Sequence, residues 1–132
     1  MLSDDEFLDA FEGCTLPYVE WTHAAHLRMA WLYLDRHPFD LALEKVRTGI
    51  QRYNAAQGNF AGYHETVTRA FVHLIHHRRA LGQLRGWEAF AADNADLFAR
   101  SPHALARHYR DATLRSPDAR ARFVEPDLAR LP

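Results

Sequence analysis

The chain has 132 residues, 48% of them hydrophobic and 25% charged, with a formal net charge of −1. That length suits one compact domain that buries its own core, and the near-neutral charge excludes a general attraction to nucleic acid or an anionic membrane. A single cysteine, Cys14, rules out an internal disulfide and fits a reducing cytoplasm.

The opening "MLSDDEFLDAF" is acidic and has no basic stretch followed by an apolar run, so it does not read as a signal peptide. No apolar run approaches the ~20 residues that span a bilayer. "SDDE" has the form of a capping box, with Ser3 as cap and Glu6 reaching back, and starts a short helix that ends near Gly13. Leu16 and Pro17 break the chain. A second helix is predicted from about residue 22 to residue 35, with Thr22 as N-cap and His37-Pro38 as its stop. A third starts near Pro38 and carries Leu41, Leu43, Val46, Ile50 and Tyr53 at helical spacing. It closes in "AAQGNFAG".

The fourth helix is "YHETVTRAFVHLIHHRRAL", with Val67, Phe71, Leu74, Ile75 and Leu81 as its stripe and Gly82 as its stop. "GWEAFAADNADLFAR" reads as a fifth helix with Trp87, Phe90, Leu97 and Phe98 inward. "SPHALARHYR" and "SPDARARF" each open with Ser-Pro, an N-cap followed by proline at the first helical position, and predict short helices. The tail, with Phe123, Val124, Leu128 and Leu131 among prolines, is expected to lie as an ordered strap. No segment alternates as a strand would, and nothing repeats. Residues 1–132 therefore predict one all-α domain, a bundle of about four main helices with short C-terminal helices and an ordered tail.

Nine histidines are the unusual count. His23, His26, Leu27, Ala30 and Leu34 step by three or four residues and share one helix face. His64 heads the corresponding stripe of the fourth helix. In up-down topology the second and fourth helices run parallel, so these three histidines are expected at one end of the bundle and on inward faces. Imidazole suits several transition metals. Two ligands one turn apart plus a third from a facing helix make a three-nitrogen set, with Glu20 in Glu20-x-x-His23-x-x-His26 or Glu65 as a fourth ligand or a partner that fixes a tautomer. "HETVT" fails the zinc-protease pattern because Thr68 stands where the second histidine is needed. Glu65, about 100° round the helix from His64, is instead a candidate general base on a metal-bound water. The bland alternatives are histidines that cap a bundle end and a glutamate that favours a helix N-terminus through the dipole. "HLIHHRR" reads as a solvated face, with Arg78 and Arg79 repelling a cation.

"WTHAAHL", "YNAAQGN" and "GYHETVT" together resemble a family of small uncharacterised bacterial helical proteins, over most of the chain. The resemblance implies that Trp21, Thr22, His23, His26, Tyr53, Asn54, Tyr63, His64, Glu65 and Thr66 form a common pattern. It implies no reaction. The expectation for function is a small cytoplasmic metal-binding protein. Its His23, His26 and His64 site, with Glu20, would hold zinc, iron or manganese and act on a small molecule by hydrolysis or oxygen activation, Glu65 being the catalytic group. The alternative is a non-catalytic small-ligand-binding or adaptor domain. Neither nucleic acid nor membrane is expected as a partner, and the sequence leaves the oligomeric state open, a homodimer included.

Overall fold

The structure, a computed structural model, describes residues 1–82, 85–101 and 103–132. Among them every regular element is helical, as the periodicities require. Among the described residues no helix is long and apolar enough to cross a membrane. The chain forms two compact units, Met1–Tyr63 and His64–Pro132. The second and fourth helices, expected side by side, belong to different units.

The first unit holds α1 (Asp4–Glu12), α2 (His23–Arg36) and α3 (Phe39–Ala56). The capping box at α1 is present in full: Glu6 N donates to Ser3 Oγ at 3.1 Å, and Ser3 N donates to Glu6 Oε1 at 3.0 Å. Thr22 caps α2, its Oγ1 accepting from Ala25 N at 3.2 Å. Between α1 and α2 a 3-10 turn, Tyr18–Glu20, delivers Trp21 to the core. Phe11 stacks on Trp21 with centroids 4.8 Å apart and on Tyr53 at 5.9 Å. Tyr53 is fully buried and spends its hydroxyl on Leu16 O at 2.7 Å, which pins the connector that carries Trp21. The inward face of α3 runs through Ala42, Val46, Gly49, Ile50 and Tyr53. Leu41, expected inside, is exposed; the small Ala42 takes the place where α3 meets its neighbours.

The second unit holds α4 (Glu65–Leu81), α5 (Trp87–Asp93), α6 (Asp111–Leu114) and α7 (Pro117–Ala121), with 3-10 turns at Ala95–Phe98 and Ala104–Arg107. The long fifth helix expected from sequence stops at Asp93. Asn94 turns its side-chain amide back to Phe90 O at 2.9 Å, competing with helix continuation. The short helix expected after Ser101 is a 3-10 turn, and Pro102 lies outside the described residues. Ser116 caps α7 as expected, accepting from Ala119 N at 3.1 Å. On α4 the buried positions are Glu65, Thr66, Ala70, Val72, Leu74 and Ile75, whereas Leu81 is exposed.

The tail is an ordered strap, and its ties are polar. Val124 N donates to Thr66 Oγ1 at 3.1 Å, Tyr109 Oη donates to Val124 O at 2.7 Å, and Leu128 N donates to His108 O at 2.9 Å. Asp127 accepts from Thr113 Oγ1 at 2.7 Å and from Arg110 N at 3.0 Å.

Candidate functional site

His26 occupies the first turn of α2, half-buried, its ring stacked on Trp21 with centroids 3.8 Å apart. Its Nδ1 lies 2.7 Å from Thr22 O. A carbonyl only accepts, so Nδ1 carries the proton, and in the neutral ring Nε2 keeps its lone pair. Burial holds this imidazole below its ordinary range, outweighing the hydrogen bond to Thr22 O, which favours the protonated ring, and the neighbouring His23 adds to the lowering. His26 is therefore a neutral ring in a fixed tautomer, and Nε2 makes no hydrogen bond among the described residues. An N–H tied to a backbone carbonyl, with the other nitrogen open, is the state in which histidines bind metals. Trp21, 9% exposed, adds a second open group: its Nε1 is buried without a hydrogen-bond partner among the described residues.

The local sequence explains this arrangement. Thr22 is extended, with ψ 173°, so its side chain caps Ala25 while its carbonyl faces the first turn. That carbonyl accepts from both His26 N, at 3.0 Å, and the His26 ring. The Trp-Thr-x-x-x-His order thus sets stack, cap and tautomer together. His23 opens α2 and Glu20 ends the preceding turn, exposed.

His64 has a different role. It is the N-cap of α4, extended at φ −131° and ψ 108°. Its Nδ1 accepts from Val67 N at 3.1 Å, and its Nε2 donates to Leu114 O at 2.6 Å. Both ring nitrogens are committed, so an ion could bind either only by displacing a hydrogen bond. The imidazole here does the work of a Ser or Asp cap and also ties α4 to the end of α6. Glu65, the expected base, is 5% exposed, with Oε2 3.8 Å from Arg69 Nη1 on the next turn. Among the described residues no three His, Cys, Asp or Glu side chains gather in a way that could hold an ion.

Of the remaining histidines, His76 is exposed, and His108 Nδ1 donates to Ala129 O at 2.8 Å. His73, placed by sequence on a solvated face, is half-buried beside Phe123. Burial, then Arg69, holds its imidazole below the ordinary range. The tail covers it, which no helical periodicity could announce. Thr66 and Asp127 also escaped sequence reasoning as structural anchors, although threonine in a first turn and aspartate after proline are residue types that bond to backbone. No protein-family model matches the chain, and no curated protein or solved structure matches it either.

Proposed function

We propose that this chain is a small metal-binding protein that takes a divalent transition-metal ion (zinc, iron or manganese) on His26 Nε2, with His23 as the second imidazole and Glu20 as the carboxylate drawn in on binding. The observation that carries the reading is the geometry of His26, its Nδ1 held by Thr22 O, its ring stacked on Trp21 and its Nε2 making no hydrogen bond among the described residues. His64 is left out of the ligand set because each of its nitrogens already has a partner. With two imidazoles from one helix turn, the site is a weak one with positions open to a small molecule, toward which an ion supplies Lewis acidity.

The test is the metal content of tag-free protein after equilibration with each ion. His26→Ala is expected to lose the metal, while His64→Ala and His76→Ala retain it. Equal content in all three variants overturns the proposal. A second reading, a non-catalytic site for a small ligand, is favoured by the open Trp21 Nε1 beside the open His26 Nε2. A buried orphan donor costs about 1–3 kcal/mol, which a ligand acceptor recovers. Metal-free binding of imidazole-sized ligands, lost in Trp21→Phe, would support it over the metal.

A further inference from the structure

The second unit contains a cleft of about 550 Å³ that none of the preceding chemistry uses. Its walls come from α4, through Arg69 and His73, and from the tail, through Phe123, Glu125, Arg130 and Leu131. The tail wall is fixed rather than loose. Val124, Asp127 and Leu128 on either side of Glu125 are each hydrogen-bonded to α4 or to the segment 108–113. A cleft built on such ties loses little conformational freedom when a ligand enters.

Its charge is uneven. Arg69 lays its guanidinium over the Phe123 ring, 4.7 Å from the centroid, which leaves the donor edge of the fork for other partners. That edge is little used. The contact to Glu65, at 3.8 Å, is longer than a hydrogen bond, and the buried Nε has no partner among the described residues. Arg130, exposed on the cleft wall, forms no ion pair with a carboxylate among the described residues. Glu125 is the one acidic side chain on the walls. Two guanidinium groups face Glu125 on the wall and, 3.8 Å from Arg69 Nη1, Glu65 behind it, so the cleft accommodates no more than a single negative charge. Phe123, Pro126 and Leu131 supply an apolar wall. Guanidinium groups match the planar, two-oxygen edge of a carboxylate.

We infer that this cleft is a binding site for a small organic monocarboxylate with an apolar or aromatic body, its carboxylate held by Arg69 and Arg130 and its body lying along Phe123 and Leu131. The reading is independent of the His26 site, which lies in the other unit. A dianion is disfavoured by Glu125, and a neutral analogue leaves the guanidinium groups unserved.

Benzoate is the probe, titrated into the full chain and followed by backbone amide NMR, with benzyl alcohol and inorganic phosphate as comparisons. Benzoate is expected to shift the amides of residues 69, 73 and 123–131, with benzyl alcohol and phosphate each binding about tenfold more weakly or not at all. Arg130→Gln, an exposed position whose loss does not threaten the fold, should weaken benzoate about tenfold. Arg69→Gln should weaken it at least as much; because it also removes the contact to Glu65, its fold is checked by circular dichroism. The inference is overturned if benzoate fails to bind at millimolar concentration, if benzyl alcohol or phosphate binds as well as benzoate, or if Arg130→Gln leaves the affinity unchanged. Shifts confined to other parts of the chain overturn it equally.

Discussion

Gly49 lies in the middle of α3, where alanine is ordinarily the better residue by about 1 kcal/mol. Gly49→Ala is nevertheless expected to destabilise this protein. A Cβ at this position would stand 2.7 Å from Phe11 Cε2 and 2.9 Å from Phe11 Cζ. Carbon atoms in good contact are about 3.5–4.0 Å apart, so the ring must retreat by most of an ångström. It has nowhere to go: Phe11 is fully buried, with Trp21 stacked on it at 4.8 Å and Tyr53 at 5.9 Å. Overpacking of this kind costs about 1–3 kcal/mol. Set against the helix gain of about 1 kcal/mol, the balance is a loss of about 0–2 kcal/mol. The locked ring places it toward the upper end. Urea unfolding followed by tryptophan fluorescence measures it. Because Trp21 also carries His26, the variant should perturb the His26 ring signals as well. In a Phe11→Leu background the clash is gone, and Gly49→Ala should turn neutral or stabilising, a coupling that a double-mutant cycle reads directly. A Gly49→Ala protein more stable than the parent would refute the close packing of α1 on α3.

Further outcomes follow from the second unit and from protonation. His64→Ala removes the α4 cap and orphans Val67 N, and is expected to cost about 1–2 kcal/mol of unfolding free energy; His64→Asn, which restores a cap acceptor, should recover part of it. Thr66→Val keeps shape but strips the hydroxyl that donates to Arg122 O at 2.8 Å and accepts from Val124 N at 3.1 Å. It should cost about 2–4 kcal/mol and sharply raise hydrogen exchange at the Val124 amide; unchanged exchange there would discount the tie. For the metal-free protein, burial lowers His26 and His73 below the value of about 6.5 at which both titrate when unfolded. The unfolded chain then takes up protons first as pH falls. Stability from these two rings is complete above about pH 6.5 and declines below it until the folded rings protonate. The urea midpoint should drop from about pH 7 to about pH 5, less steeply in His73→Gln. An identical slope in that variant would remove His73 from the account.

Much of this architecture could be read from residue order, because its signals are local. Ser3 with Glu6, Thr22 before a helical stripe, Ser116 before Pro117 and the break at His37-Pro38 each act within one turn, and each stands where it was expected. What escaped is non-local. Gly49 has no local reason to be glycine; its reason is Phe11, on another helix. Leu41 and Leu81 fit a helical stripe yet lie outside, since periodicity defines a face without saying how far along the helix that face is covered. The candidate site divides in the same way. The i to i+4 relation of Thr22 and His26 is local, and with Trp21 it makes the tautomer intelligible from "WTHAAH". The role of His64 is set by Leu114, fifty residues away in sequence, so a histidine that looked like a ligand at the head of a stripe is engaged as a cap and tie. The cleft beside His73 needs the tail, whose path is drawn by Thr66, Tyr109 and Asp127 rather than by any apolar pattern.

The most direct test follows the imidazole nitrogens by 15N NMR while zinc is added to tag-free, metal-free protein near neutral pH. Before addition, His26 should appear as the neutral ring protonated on Nδ1 and His64 as the ring protonated on Nε2. On addition, His26 Nε2 should move to the range of a metal-bound nitrogen, with His23 following, while both nitrogens of His64 stay where they were. A His26 ring protonated on Nε2 at the outset, or zinc that shifts His64 and leaves His26 untouched, would contradict the account.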